Sequence, residues 1–227
     1  WTLPLTLYDY DADRRSFTKS MFDSDFSYPG FENLTAEEVE VPGHDGAMIP
    51  LSIIYRKGLP RDGKNPCLLE GYGAYRISTT PSFSILRSVA LKGVVFAYAH
   101  VRGGSEKREM WYKAGHKTSK PNTWKDFISC GEYLMKNGYT SPSKPAGMGT
   151  SAGGILISRA ITERPDLFGA AICNVGCANA MRMEFTPNGP TNIPEFGTVR
   201  DSVGCLALYE MDGVQHVRGG VKYPPVI

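Results

Sequence analysis

Apolar and polar positions alternate loosely at the start of the chain. Leu3, Leu5 and Leu7 lead into Tyr8-Asp9-Tyr10, which predicts one strand and a turn within residues 1–13. Residues 16–33 are polar and aromatic, contain Pro29-Gly30, and predict a connector. Beyond Thr35 the alternation sharpens. Val39 and Val41 alternate with charged residues, His44-Asp45-Gly46 follows, and apolar positions resume from Met48 to Tyr55. An Asp-Gly pair between two alternating runs predicts a hairpin, because glycine supplies the positive φ that a tight turn demands.

After Tyr55 the pattern changes. Cys67-Leu68-Leu69, Val94-Val95-Phe96-Ala97 and Ala170-Ala171-Ile172-Cys173 are short continuous apolar runs, which suit strands buried on both faces of a parallel sheet. Helical patterns lie between them. Thr80-Pro81 offers a cap and a first position for a helix with Phe83, Leu86 and Val89 on one face. Thr123 with Asp126 resembles a capping box ahead of a helix on which Trp124, Phe127, Ile128 and Leu134 share a face; Gly138 ends it. A third helix runs from about residue 152 to 163 and stops at Pro165. Repeated strand–helix alternation predicts an α/β fold with a doubly wound, mostly parallel sheet and helices on both sides.

Composition narrows this further. The 227 residues are 41% apolar and 21% charged, enough for one large core with a small appendage and incompatible with whole-chain disorder. The formal charge is +2, with basic and acidic residues interleaved, which argues against nucleic acid as a partner. The most apolar stretch, around residues 94–99, is too short to span a bilayer. None of the five cysteines sits in a C-x-x-C pair, which predicts free thiols in a reducing, cytoplasmic compartment rather than a disulfide framework or a zinc site. The chain opens on Trp1 with no signal-like segment. It closes on Tyr223-Pro224-Pro225-Val226-Ile227, which reads either as a buried strand cut off as it starts or as a short docked tail. The first reading makes the chain a fragment of something longer.

Candidate chemistry sits at Gly149-Thr150-Ser151-Ala152-Gly153-Gly154, which fits G-x-S-x-G in a strand–turn–helix context. At such an elbow the serine backbone is strained, and side chains two residues to either side would collide; Gly149 and Gly153 remove those collisions. The strain lifts the Ser151 hydroxyl above the sheet rim, and the following helix aims free N–H groups at the same place. The same residues also suit a glycine-rich helix entry with no chemistry. A nucleophilic serine needs a base and an oxyanion hole. His44, His100 and His116 precede Ser151, the wrong order for an α/β-hydrolase; His216 follows it but reads as a surface or interdomain histidine. No base is found in the chain.

These residues resemble the prolyl oligopeptidase family of serine peptidases over nearly the whole chain. Asp126, Leu134, Gly149, Ser151, Gly153, Gly154, Ile155 and Leu156 fit the family pattern around its nucleophile, with Cys130 where alanine is usual. Gly138-Tyr139-Thr140-Ser141-Pro142, Arg164-Pro165-Asp166-Leu167-Phe168 and Val101-Arg102-Gly103-Gly104 with Trp111 are similar to family text as well. The resemblance implies an α/β-hydrolase domain, incomplete at its C-terminus, over residues 34–227, and the end of a preceding β-propeller with its connector over 1–33. It implies that Ser151 is the nucleophile, and that Tyr72, in Gly71-Tyr72-Gly73-Ala74-Tyr75, and the Ala152 N–H stabilise the oxyanion. Tyr75, Cys177 and Phe196 match walls of the substrate pocket. The family's proline-stacking tryptophan falls on Asn192, which puts proline preference in doubt. Tyr72, Cys177 and Phe196 suit ordinary core packing equally.

The expected activity is therefore serine-type cleavage of short peptides without metal or organic cofactor. The catalytic Asp and His would lie beyond residue 227, the isolated chain would be inactive, and the expected partners are peptide substrates and the protein's own propeller. An esterase or aminopeptidase on the same fold, or a non-catalytic remnant used as a binding module, are the rival readings.

Overall fold

The computed structural model describes residues 1–23 and 26–227; residues 24 and 25 of the expected connector lie outside the described residues. Strands β1 (Tyr8–Asp11) and β2 (Ser16–Lys19) form an antiparallel hairpin. The second strand replaces the start of the expected connector. Its turn contains no glycine: the Asp11 carboxylate accepts from the backbone N–H of Asp13 and Arg14, and Arg15 takes a φ of 50°. Side-chain capping of a turn does here what glycine usually does.

The main sheet has six strands. Strands β3 (Leu34–Pro42) and β4 (Met48–Arg56) form the expected hairpin, with Gly46 at φ 84° in the turn. They are followed by β5 (Cys67–Gly71), β6 (Val95–Ala99), α1 (Glu109–Lys113), α2 (Pro121–Lys136), β7 (Pro145–Thr150), α3 (Gly153–Glu163), β8 (Ala170–Asn174), α4 (Ile193–Phe196) and α5 (Ser202–Met211). The order is β3-β4-β6-β5-β7-β8. β4 meets β6 antiparallel, whereas β6, β5, β7 and β8 are mutually parallel. The parallel strands stay in step, with Gly71 opposite both Ala99 and Gly149, and Gly149 opposite Cys173. Their carboxyl ends therefore share one rim, where open α/β sheets bind ligands.

One face of the sheet is sealed. Ile49, Leu51, Ile53, Leu69, Val95 and Ala97 point into a core shared with Trp124 and Phe127 of α2 and Ile155 and Leu156 of α3. The opposite face is only partly covered, so the apolar runs are not buried on both sides as their composition suggests. There Phe96 meets Phe31, Leu34 and Ala90, and Trp1 stacks on Tyr98 at 4.4 Å between centroids.

Three local expectations change. Residues 80–84 are not helical. A 3-10 helix, Ile85–Lys92, starts instead after Ser84, whose hydroxyl accepts from the Leu86 N–H, and Gly93 closes it. Three residues per turn bury Arg87 and Ala90 and leave Leu86 73% exposed, so the expected 3.6-residue face does not form. Thr123 and Asp126 are not a capping box, because α2 already begins at Pro121; the Thr123 hydroxyl donates to the Arg102 carbonyl at 2.7 Å. At the C-terminus, Ala171 donates to Pro225, Ile227 to Ala171, and Cys173 to Ile227, all within 3.0 Å, in a parallel bridge along β8. This is strand-like pairing, but Val226 and Ile227 are exposed rather than buried.

Asp126 has a different task. Its carboxylate accepts from the Arg102 backbone N–H at 3.0 Å, from Nε at 2.9 Å and from a terminal guanidinium nitrogen at 2.6 Å. The other side of the same guanidinium meets Asp45 in the β3–β4 turn at 2.5 Å. Arg102 thus ties α2, the hairpin and the end of β6 together. Removing one partner of a buried pair strands the other charge, so Asp126→Ala should cost about 3 kcal/mol by urea denaturation. Hydrogen bonds from Arg102 hold the Asp45 carboxyl down at about 2. Its contribution is therefore complete above the ordinary carboxylate range and lost as pH falls through about 2. The stability deficit of Asp45→Asn should be full at pH 6 and shrink between pH 4 and 2 in acid-denaturation curves.

Candidate active site

β7 ends at Thr150, Ser151 takes a φ of 56°, and α3 begins at Gly153. A non-glycine residue in the left-handed region is costly and persists only where its surroundings impose it. Here they do. Ser151 N–H donates to Asn174 at 3.0 Å, and the Ser151 carbonyl accepts from Gly154 and Cys177, both at 2.9 Å. A Cβ on Gly149 would overlap the Gly153 carbonyl oxygen, and one on Gly154 would overlap the backbone of Gly176 and Cys177. The bend leaves Ser151 exposed while Ala152 behind it is buried.

Tyr72 follows β5 on the same rim and packs against the start of α3, where a Cβ on Gly153 would lie 3.7 Å from its ring. Burial, reinforced by the Glu195 carboxylate, raises the Tyr72 phenol above its ordinary value, with the nearby Ser151 side chain acting the other way. The group is a neutral donor at pH 7. Gly73, at φ 70°, presses its backbone against the Arg102 carbonyl, where a Cβ would lie 2.9 Å from that oxygen.

Tyr75, at φ 56°, is held at several points by one segment. Its hydroxyl donates to Asn192 Oδ1 at 2.6 Å, its N–H donates to Glu195 Oε1 at 2.9 Å, and its ring meets Phe196 edge-on at 5.4 Å. Burial, with Tyr72 and Glu195 adding to it, pushes the Tyr75 phenol up to about 12. Cys177 is half-buried beside Met183, at 3.3 Å between sulfurs, and burial pushes its thiol up to about 11, so it stays protonated.

Ser151, Ala152, Tyr75, Cys177, Asn192 and Phe196 all line one cavity of about 640 Å³. Tyr72 stands at its edge, packed against Gly153 two residues after Ser151. The structure thus brings together every site residue singled out from the sequence. It adds Asn179, Arg182 and Met183 to the cavity wall. These come from the irregular stretch around the 3-10 helix Ala180–Phe185, where no periodicity marks a face.

The histidines are engaged elsewhere. His100 is buried with Nε2 2.6 Å from Ser52 Oγ, His116 contacts the Pro194 carbonyl, His216 contacts the Asp212 carbonyl, and His44 sits in the β3–β4 turn. Among the described residues no group of three His, Cys, Asp or Glu is arranged to hold a metal ion, and no helix is long and apolar enough to cross a membrane.

A mostly parallel sheet with a serine raised on a strand–turn–helix corner at its carboxyl rim is the α/β-hydrolase architecture. Residues 81–226 match the model of the prolyl oligopeptidase family, and the chain belongs to that family of serine peptidases. It is 40% identical over 195 residues to the prolyl endopeptidase of Elizabethkingia meningoseptica, covering 85% of this chain and 28% of that protein. It is 35% identical over 202 residues to dipeptidyl aminopeptidase BI of Pseudoxanthomonas mexicana, covering 86% of this chain and 27% of the relative. Among solved structures, a prolyl endopeptidase superposes with a TM-score of 0.93 at 33% identity, over 99% of this chain and 33% of that one. Oligopeptidase B of Leishmania major superposes at 0.90 and 32% identity, over 99% and 32%. The chain spans between a quarter and a third of the length of these relatives.

The elbow has a direct test. In Gly149→Ala the added methyl has no room against backbone, so stability should fall by about 3 kcal/mol in urea titrations. A loss below about 1 kcal/mol would show that the bend relaxes easily.

Proposed function

We propose that this chain is the nucleophile-bearing part of a serine-type oligopeptidase that cleaves short peptides by acyl transfer through Ser151. The observation that carries the reading is a serine held at positive φ on the carboxyl rim with Tyr72 packed beside it against the start of α3. Ser151 Oγ attacks the peptide carbonyl carbon and passes its proton to a base. The carbonyl π electrons move onto oxygen, which takes hydrogen bonds from the Tyr72 hydroxyl and the Ala152 N–H. Collapse expels the amine, which takes the proton from the base, and water then releases the acyl group. With none of the four histidines lining the cavity at Ser151, the base and its orienting carboxylate come from sequence outside this segment. Triad members act as a unit, so the isolated chain has negligible turnover.

The cavity beside Ser151 receives the residue before the cleaved bond, alongside the paired rings of Tyr75 and Phe196 and next to Cys177. Several relatives are prolyl endopeptidases. Asn192 offers an amide rather than a flat ring, so proline is accepted with less stacking energy than an indole would give. Residues 1–33 are the end of a preceding propeller, which fits the exposed Leu3, Leu5, Tyr8 and Phe17 along this stretch. The five unpaired thiols favour a reducing, cytoplasmic compartment.

The test uses the longer polypeptide that supplies the base. Ser151→Ala should abolish fluorophosphonate labelling and hydrolysis of a chromogenic peptide amide. Tyr72→Phe should lower kcat by about 100-fold with KM little changed, the expected effect of losing one oxyanion donor. Labelling that survives Ser151→Ala overturns the nucleophile. Turnover of esters alone would move the activity to an esterase on the same fold.

A further inference from the structure

Two buried charged side chains stand behind the Tyr72 loop, and the proposed reaction uses neither. Lys120, just before α2, is 1% exposed and donates its ammonium to the Gly73 carbonyl. The same ammonium lies 5.2 Å from the centre of the Phe196 ring. Glu195 in α4 is 5% exposed; its Oε1 accepts from the Tyr75 N–H and its Oε2 from the Tyr112 hydroxyl, each at 2.9 Å. The residues one and three positions after Tyr72 are therefore held by opposite charges, Gly73 through its carbonyl and Tyr75 through its N–H.

The loop needs holding. Gly73, Tyr75 and Arg76 all have φ between 56° and 70°, a run of left-handed residues that a free segment does not maintain. Charged groups are costly to bury unless hydrogen-bonded, and here both are spent on backbone and phenol partners of this loop and its surroundings. Burial pushes the Lys120 ammonium down to about 8, while the nearby Glu195 carboxylate works against that fall. Glu195 also lies between Asn192 and Phe196, the residues that hold the Tyr75 side chain, so one short segment fixes both pocket wall and loop.

We propose that Lys120 and Glu195 are positioning residues that clamp the Gly73 carbonyl and the Tyr75 N–H so that the Tyr72 hydroxyl stays directed at Ser151. This rests on the oxyanion role proposed for Tyr72. A donor fixed in advance stabilises charge that exists only in the transition state, so the clamp acts on kcat more than on substrate binding.

A double-mutant cycle in the longer polypeptide tests it, with kcat and KM measured on a peptide nitroanilide. Lys120→Met should lower kcat by about 10-fold, since a small misplacement of a catalytic group suffices for such a loss. KM should stay within about 2-fold. In a Tyr72→Phe background, Lys120→Met should change kcat by less than about 2-fold, because the group it positions is already gone. An equal loss in both backgrounds means general loosening and overturns the proposal. If Lys120→Met does not fold, Glu195→Gln, of the same volume, goes through the same cycle, and an equal loss of kcat in both backgrounds overturns the proposal there too. A Tyr72→Phe variant with undiminished kcat is a different result: it removes the oxyanion role itself, and this inference with it.

Discussion

The backbone contact between Gly149 and Gly153 governs the site. With no side chain on Gly149, the end of β7 lies directly against the first turn of α3, close enough that a single methyl would overlap the Gly153 carbonyl. That approach forces the chain to reverse within the intervening residues and leaves Ser151 at positive φ. The strain is held by hydrogen bonds from both sides of the bend, to Asn174 at the end of β8 and from Cys177 beyond it. Strand, helix and the loop after β8 are thus braced on one residue, which is why its hydroxyl occupies a fixed position above the rim.

The sheet supplies the rest by register. Because β5, β7 and β8 run parallel and in step, the residues after their carboxyl ends are Tyr72, Ser151 and Val175 on a common edge. β6 reaches the same edge and turns through Arg102, whose guanidinium and backbone are fixed by Asp126 of α2. Gly73 then packs on the Arg102 carbonyl. The backbone that follows Tyr72 therefore rests on a residue fixed by a buried salt bridge, and the fold and the site share one set of interactions.

Much of this was legible in the residues, and the limits have physical reasons. The elbow is a local steric motif, so its glycine spacing could be read directly. The β3–β4 hairpin was equally local. Tyr75, Asn192 and Phe196 come from segments far apart in the chain, and only the family resemblance placed them together before the geometry did. The turn after β1 was anticipated but its return strand β2 was not, because Asp11 caps the turn and no glycine marks a hairpin. The helix expected after Thr80-Pro81 failed because the segment winds with three residues per turn, for which a 3.6-residue pattern selects the wrong face. Lys120 precedes an apolar helix and looks like a solvated end; its burial arises from the distant Gly73 carbonyl, which no local pattern reports.

Asn192 shows why residue type alone misjudges a pocket. An amide in place of a flat apolar ring suggests a polar wall, and a polar wall would disfavour an apolar substrate residue by leaving its own groups without partners. Here both ends of the amide already have partners: Oδ1 accepts from Tyr75 and Nδ2 donates to the Asn188 carbonyl at 3.4 Å. The Tyr75 hydroxyl is satisfied by the same bond. Phe196 lies alongside, its ring edge-on to that of Tyr75. The amide thus spends its hydrogen bonds within the wall and fixes the Tyr75 ring, a milder alteration than the exchange of a ring for an amide implies.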